Sequence, residues 1–190
     1  MAGNVRGVLF RDYVRMIRGA KHIDWKAALE PEDYAYVTSR ISVDDWYPMA
    51  SFERIGNVIF RRLADNDLVA VRMWGRASVG DLCATQPDLV APRDPIETLM
   101  RMRVLRATFF DFPALAIPEL LDDQAEITIS YRMGPLAEEA ASHQTMGVFE
   151  RLLELATARD VVAELTAKSW AGDPTTVLEL RWSLRRSSIS

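Results

Sequence analysis

The chain has 190 residues, of which 49% are hydrophobic and 26% charged, with a formal net charge of −4, one cysteine and two histidines. That length supports one good-sized core and is short for two domains, and the composition is that of a globular chain rather than a disordered one. The acidic balance argues against a general nucleic-acid binder, the single Cys83 excludes an internal disulfide and a multi-thiolate metal site, and two histidines make a dedicated zinc centre a poor expectation.

Taken in chain order, the first half reads as helices. Phe10, Tyr13, Val14 and Ile17 fall on one helical face. Asp24 is placed to cap a short helix carrying Trp25, Ala28 and Leu29, and Pro31 to start another. Pro48 opens a longer helix whose apolar stripe is Met49, Phe52, Ile55, Ile59 and Leu63. Asn66 or Asp67 caps the next, "LVAVRMWG", which is expected to end at Gly75. Residues 84–94 carry two prolines and read as a loop; Asp94-Pro95 then starts a helix with Ile96, Leu99, Met102 and Leu105 at helical spacing.

The period changes in the second half. "EITISYR" alternates, with Ile127, Ile129 and Tyr131 on one face and Thr128, Ser130 and Arg132 on the other. A long helix is expected from about Leu136 to Thr157. "VVAELTAKSW" and "TVLELRW" are two strands joined by the turn "AGDPT", an antiparallel hairpin. The expectation is one α+β domain over 1–190, mainly helical over 1–112 and sheet-containing over 113–184, with a frayed tail at 185–190. No apolar run approaches the roughly 20 residues of a membrane span, and "MAGNVRGVLFRDYV" lacks the core of a signal peptide. The location expected is cytoplasmic, with no membrane partner.

The segment "FFDFPALAIPELLDDQAEITISYRMG", Phe109 to Gly134, carries a resemblance. Phe112-Pro113, then Pro118, then Ser130, Arg132 and Gly134 on and after a strand resemble the pattern of the heme nitric-oxide/oxygen-binding (H-NOX) domain, over nearly the whole chain. The resemblance implies that family's layout: N-terminal helices and a C-terminal antiparallel sheet enclosing a ligand, with Pro118 pressing on a porphyrin. Counted back from Pro113, the family's iron-ligating histidine falls at Leu105, and the first tyrosine of its strand motif at Thr128. The chain therefore resembles a divergent bacterial member without that histidine, and no cofactor is expected, heme being an unlikely one.

The polar cluster Thr128, Ser130 and Arg132 suits a carboxylate or phosphate, because an arginine fork donates two parallel hydrogen bonds. The same residues read equally as a solvated strand face or an internal ion pair. The expected ligand contacts are Thr128, Ser130, Arg132, Leu105, Pro118 and Phe112. Trp46, Tyr47, Phe52, Phe109 and Phe110 either fill the space a porphyrin would take or line a smaller pocket with Arg132 at its polar end. His22 and His143 are read as surface residues, and the methionines Met100, Met102, Met133 and Met146 as core filling. Asp44-Asp45 and Asp122-Asp123 read as caps, and no nucleophile, base and acid are spaced as a catalytic set.

The function expected is a non-enzymatic sensory or regulatory domain binding a small amphipathic or acidic ligand, a protein partner, or both, with a homodimer among the assemblies and no nucleic acid. The alternative is a structural interaction module with a closed, ligand-free core.

Overall fold

The computed structural model of the chain describes residues 3–184. The expected frayed tail at 185–190 lies outside the described residues. Strand β1 (Asn4–Arg6) leads directly into helix α1 (Gly7–Gly19), which buries Phe10, Val14 and Ile17. The short helix α2 (Trp25–Ala28) is capped as its sequence implies, the Asp24 carboxylate accepting from Ala27 N–H at 3.2 Å. Helix α3 (Pro31–Thr38) begins at its proline.

Strand β2 (Trp46–Pro48) pairs antiparallel with β1, Val5 opposite Tyr47. This ribbon was not legible, because a strand of three residues is too short to show a period. It also holds the segment that follows the sixth helix: Asn4 N–H donates to Asp111 at 2.7 Å and Arg6 N–H to the Phe109 carbonyl at 2.7 Å.

Helix α4 (Met49–Arg62) buries Met49, Phe52, Ile55 and Ile59, the stripe read from the sequence. Helix α5 (Leu68–Thr85) starts where Asp67 accepts from Val69 N–H at 2.8 Å, but does not end at Gly75. A Cβ at Gly75 would lie 1.9 Å from the Gln144 carbonyl oxygen, and one at Gly147 would lie 2.0 Å from that of Arg72. Gly75 thus marks a backbone-to-backbone contact with a later helix instead of a stop. Helix α6 (Pro95–Leu105) is capped by Asp94, which accepts from Glu97 N–H at 2.9 Å.

The second half forms a four-stranded antiparallel sheet, order β3–β4–β6–β5. Its members are β3 (Leu115–Leu120), β4 (Gln124–Ile129), β5 (Arg159–Ala167) and β6 (Thr176–Ser183), and helix α7 (Pro135–Leu155) joins β4 to β5. The β5–β6 hairpin turns through Gly172 at φ 108°. Strand β3 was not expected from the sequence. It contains Pro118, which an edge strand tolerates because its missing N–H breaks no interior ladder, and the register with β4 shifts between Ala116 and Glu119.

One sheet face, with Ile127, Ile129, Leu178, Leu180 and Trp182, packs under the helices in the main core, and a smaller cluster of Phe60, Ala64 and Val71 lies between α4 and α5. The outer face carries a row of like charges. Glu119 pairs with Glu126, Glu126 with Glu179, and Glu179 with Glu164, one glutamate from each strand.

Helix α7 is tied to α5 by ion pairs beside the glycine contact. Arg72 forks onto the buried Glu150 carboxylate, its Nε at 2.9 Å, and Arg76 reaches both Glu154 oxygens at 2.7 Å. No described helix is long and apolar enough to cross a membrane.

A candidate ligand cavity between the helices and the sheet

The helical layer and the sheet leave a cavity of about 120 Å³ between them. Its inner wall is apolar and aromatic: Phe52 of α4, Met102 of α6, Phe109, Phe110, Leu115 of β3, Tyr131 and Phe149 of α7. Its outer part is formed by Val8, Leu9, Arg11, Asp12 and Tyr13 of α1, by Ser78, Asp81 and Leu82 of α5, and by Ala141, Gln144 and Val148 of α7. Phe109 and Phe110 are presented by the backbone bonds to β1, and Phe110 packs 5.4 Å from the Tyr131 ring.

Tyr131 owes its position to an unusual segment between β4 and α7. Arg132 sits in the left-handed region at φ 60°, which costs a non-glycine residue about 1–3 kcal/mol and so needs support. Two carboxylates supply it. Glu138, buried, accepts from Tyr131 N–H at 2.8 Å and Met133 N–H at 3.1 Å, and Glu53 accepts from Gly134 N–H at 2.8 Å. Burial pushes the Glu138 carboxyl above its ordinary range, against the pull of those two backbone donors.

Apart from Tyr131, the polar groups on the wall come from α1, α5 and α7. The Tyr131 hydroxyl is hydrogen-bonded to Thr145, and the Tyr13 hydroxyl donates to Gln144 Oε1 at 3.3 Å. Burial raises both phenols well above their usual range, so each is held protonated. Asp12 is raised as well, by burial first, against the opposing charge of Arg11. Among the described residues no group of three His, Cys, Asp or Glu side chains could hold a metal ion.

The ligand contacts expected from the sequence lie elsewhere. Thr128 and Ser130 alternate away from Ile127, Ile129 and Tyr131 and are half-buried on the other side of the strand. Arg132 is exposed, its guanidinium 4.9 Å from the Phe112 ring centroid, so these two are brought together as a cation–π pair. Leu105 packs partly buried at the end of α6, and Pro118 is exposed on β3. None of these residues lines the cavity.

Of the expected aromatics, Phe52, Phe109 and Phe110 do line it, whereas Trp46 is 43% exposed beside β1. Met102 is on the wall and Met100 is exposed. His22 is exposed; His143, half-buried on α7, has its pKa lowered by burial and is not on the wall.

The residues missed were Arg11, Asp12, Ser78, Asp81, Gln144 and Thr145. The available signal was polar side chains recurring at helical spacing beside an apolar stripe, which by itself reads as an ordinary surface.

No family model matches the chain, and no curated protein matches it. Solved structures do. An Fe(II) unliganded H-NOX protein mutant from K. algicida is 13% identical at a TM-score of 0.65, over 95% of this chain and 98% of that one. An H-NOX protein from S. oneidensis in the Fe(II)NO ligation state is 14% identical at 0.62, over 94% and 99%. An oxygen-binding H-NOX domain related to soluble guanylate cyclases, in its oxygen complex, is 13% identical at 0.62, over 97% and 98%.

These neighbours correct the expectation of no cofactor with heme unlikely. They include proteins in Fe(II) unliganded and Fe(II)NO states and an oxygen complex, and others studied for heme distortion in the family and for porphyrin distortion. The expectation rested on one position, Leu105, whereas solved neighbours that match nearly the whole chain are proteins studied with heme. The wall itself offers a thioether at Met102, two protonated phenols, and the Asp12 and Asp81 carboxyls in its outer part, with no imidazole among its residues. At about 120 Å³ the cavity is also below the ~300–1,000 Å³ usual for small-molecule sites, so the aromatic rings must move before a porphyrin fits. In the conformation described, the residues present do not fit that group. What the neighbours share with this chain across nearly its full length is the architecture: the chain has the H-NOX fold.

Proposed function

We propose that this chain is a non-enzymatic sensory or regulatory domain whose cavity between helices and sheet takes a small amphipathic ligand. The observation that carries this reading is the cavity itself: an apolar, largely aromatic interior that reaches a polar rim, with two hydroxyls already placed by Gln144 and Thr145. Concave, mostly apolar sites with a few placed polar groups are the usual form of a ligand site. Heme is the first ligand to test, because solved neighbours of the fold were studied for their heme distortion and heme redox potential.

A closed interaction module is the other reading, and the cavity weighs against it, since a core packed for stability alone leaves few such spaces. A protein partner, or a second copy of the chain, belongs to the same proposal, and the exposed Met100 and Val104 of α6 supply apolar surface for it.

Native mass spectrometry of freshly purified protein, compared with the same sample denatured, tests the reading. A mass excess lost on denaturation identifies the retained ligand and shows the oligomeric state. Hemin titration followed by absorption and by thermal unfolding covers a ligand lost in purification. If there is no excess mass, no Soret band and no rise in Tm with hemin or with apolar probes, the interaction module takes its place.

A further inference from the structure

The rim of the cavity holds more charge than its interior can use. Arg15 lies 2.9 Å from Asp81 and 3.8 Å from Asp12, so these two acids share one arginine. Arg11, on the wall of the cavity, has no ion-pair partner among the described residues, and its Nε is buried without a hydrogen-bond partner. A buried donor at a charged group is costly to leave unmet, and folded chains rarely do so. Asp12, the chain neighbour of Arg11, makes neither an ion pair nor a hydrogen bond with it and faces Arg15 at 3.8 Å instead.

We propose that Arg11 is the anion anchor of this cavity, and that the ligand carries a carboxylate at Arg11 and a flat apolar body among Phe52, Phe109, Phe110 and Phe149. The guanidinium fork matches a carboxylate with two parallel hydrogen bonds, and the aromatic wall favours a planar body offset-stacked or edge-on against it. The inference rests on the reading of the cavity as a ligand site. The ligand so described is a free aromatic acid of about one ring. A ring of that size suits the present volume, since an engineered apolar cavity of ~150 Å³ takes up benzene. Hemin, which the present volume does not hold, serves in the test as the larger acid.

The test measures binding of phenylacetate, hemin and uncharged toluene to the full chain and to Arg11→Gln and Arg11→Lys. Circular dichroism and thermal unfolding establish that each variant is folded. The expected result is that Arg11→Gln weakens an anion about tenfold or more while leaving toluene within about twofold, with Arg11→Lys falling between. Loss of phenylacetate binding in Arg11→Gln, with or without loss of hemin, supports the anchor, whereas loss confined to hemin overturns the one-ring acid. Toluene binding with both anions indifferent to Arg11→Gln overturns the anchor and leaves the cavity reading standing. Failure of all three to bind wild type overturns the cavity reading and the anchor with it.

Discussion

Helix α7 meets two very different neighbours on its two sides. Toward α5 it is closed to the backbone, Gly147 against the Arg72 carbonyl and Gly75 against that of Gln144, with arginine–glutamate pairs sealing the seam. Toward α1 and α6 it leaves a space, bordered by Ala141, Gln144, Thr145, Val148 and Phe149. Adjacent turns of one helix thus fix the frame on one side and leave room on the other. A glycine contact gives the rigidity against which a nearby cavity keeps its shape, because a helix held at its backbone does not slide inward to fill the gap.

The largest effect should come from breaking the closed side. Gly147→Val places a side chain into the Arg72 carbonyl and is expected to cost about 3 kcal/mol or more, read from the denaturant midpoint. Arg72→Met leaves Glu150 buried with Arg76 at 3.4 Å as its remaining partner. The expected cost is about 2 kcal/mol, less than for a fully stranded buried ion because Arg72 is itself part-exposed.

The same kind of enlargement on the other side should have the opposite character. Ala141→Leu adds bulk to the cavity, and unfolding is expected to show a change within about 1 kcal/mol, or a gain, while binding of any cavity ligand falls. Equal losses for Gly147→Val and Ala141→Leu would mean that the two sides are packed alike.

The smallest effect separates the sides by pH. In the seam, burial raises Glu154 but the hydrogen bonds from Arg76 and Arg151 outweigh it, so its folded pKa is depressed. Its stabilisation is present above its ordinary pKa and is lost as pH falls through the depressed one. Beside the cavity wall Glu138 is raised by burial, so its contribution is greatest when it is protonated and declines as pH rises from its ordinary pKa through the folded value. Subtracting the stability profile of Glu154→Gln from wild type should therefore leave a difference that grows with pH, and that of Glu138→Gln one that shrinks. Two differences of the same slope would show that the two carboxyls are not set apart in this way.

Local structure was legible where one residue decides it. Asp24, Asp67 and Asp94 each cap the helix their sequence announces, and Gly-Asp-Pro turns the β5–β6 hairpin. Gly75 was misread because a glycine that ends a helix and one that admits another backbone look identical in one dimension. The overall architecture came through as an order of motifs along the chain. The cavity did not, since its wall is assembled from α1, α4, α5, α6, β3 and α7, and Tyr13 sits inside an apolar stripe that reads as plain core. The strand motif reads differently in three dimensions: Thr128 and Ser130 lie one residue out of phase with Ile129, which is the other face of a strand, and Arg132 has already left the strand at φ 60°.

The glutamate row on the outer sheet face bears on how these molecules meet one another. Arg181, 2.8 Å from Glu179, relieves one member, but like charges set directly opposite across strands oppose the pairing that aligns them. Two copies brought sheet to sheet would face this row with its own image. Over the ~8–10 Å that charge carries at moderate salt, that repulsion acts as a colloidal guard on the outer sheet face, and one that fades as ionic strength rises.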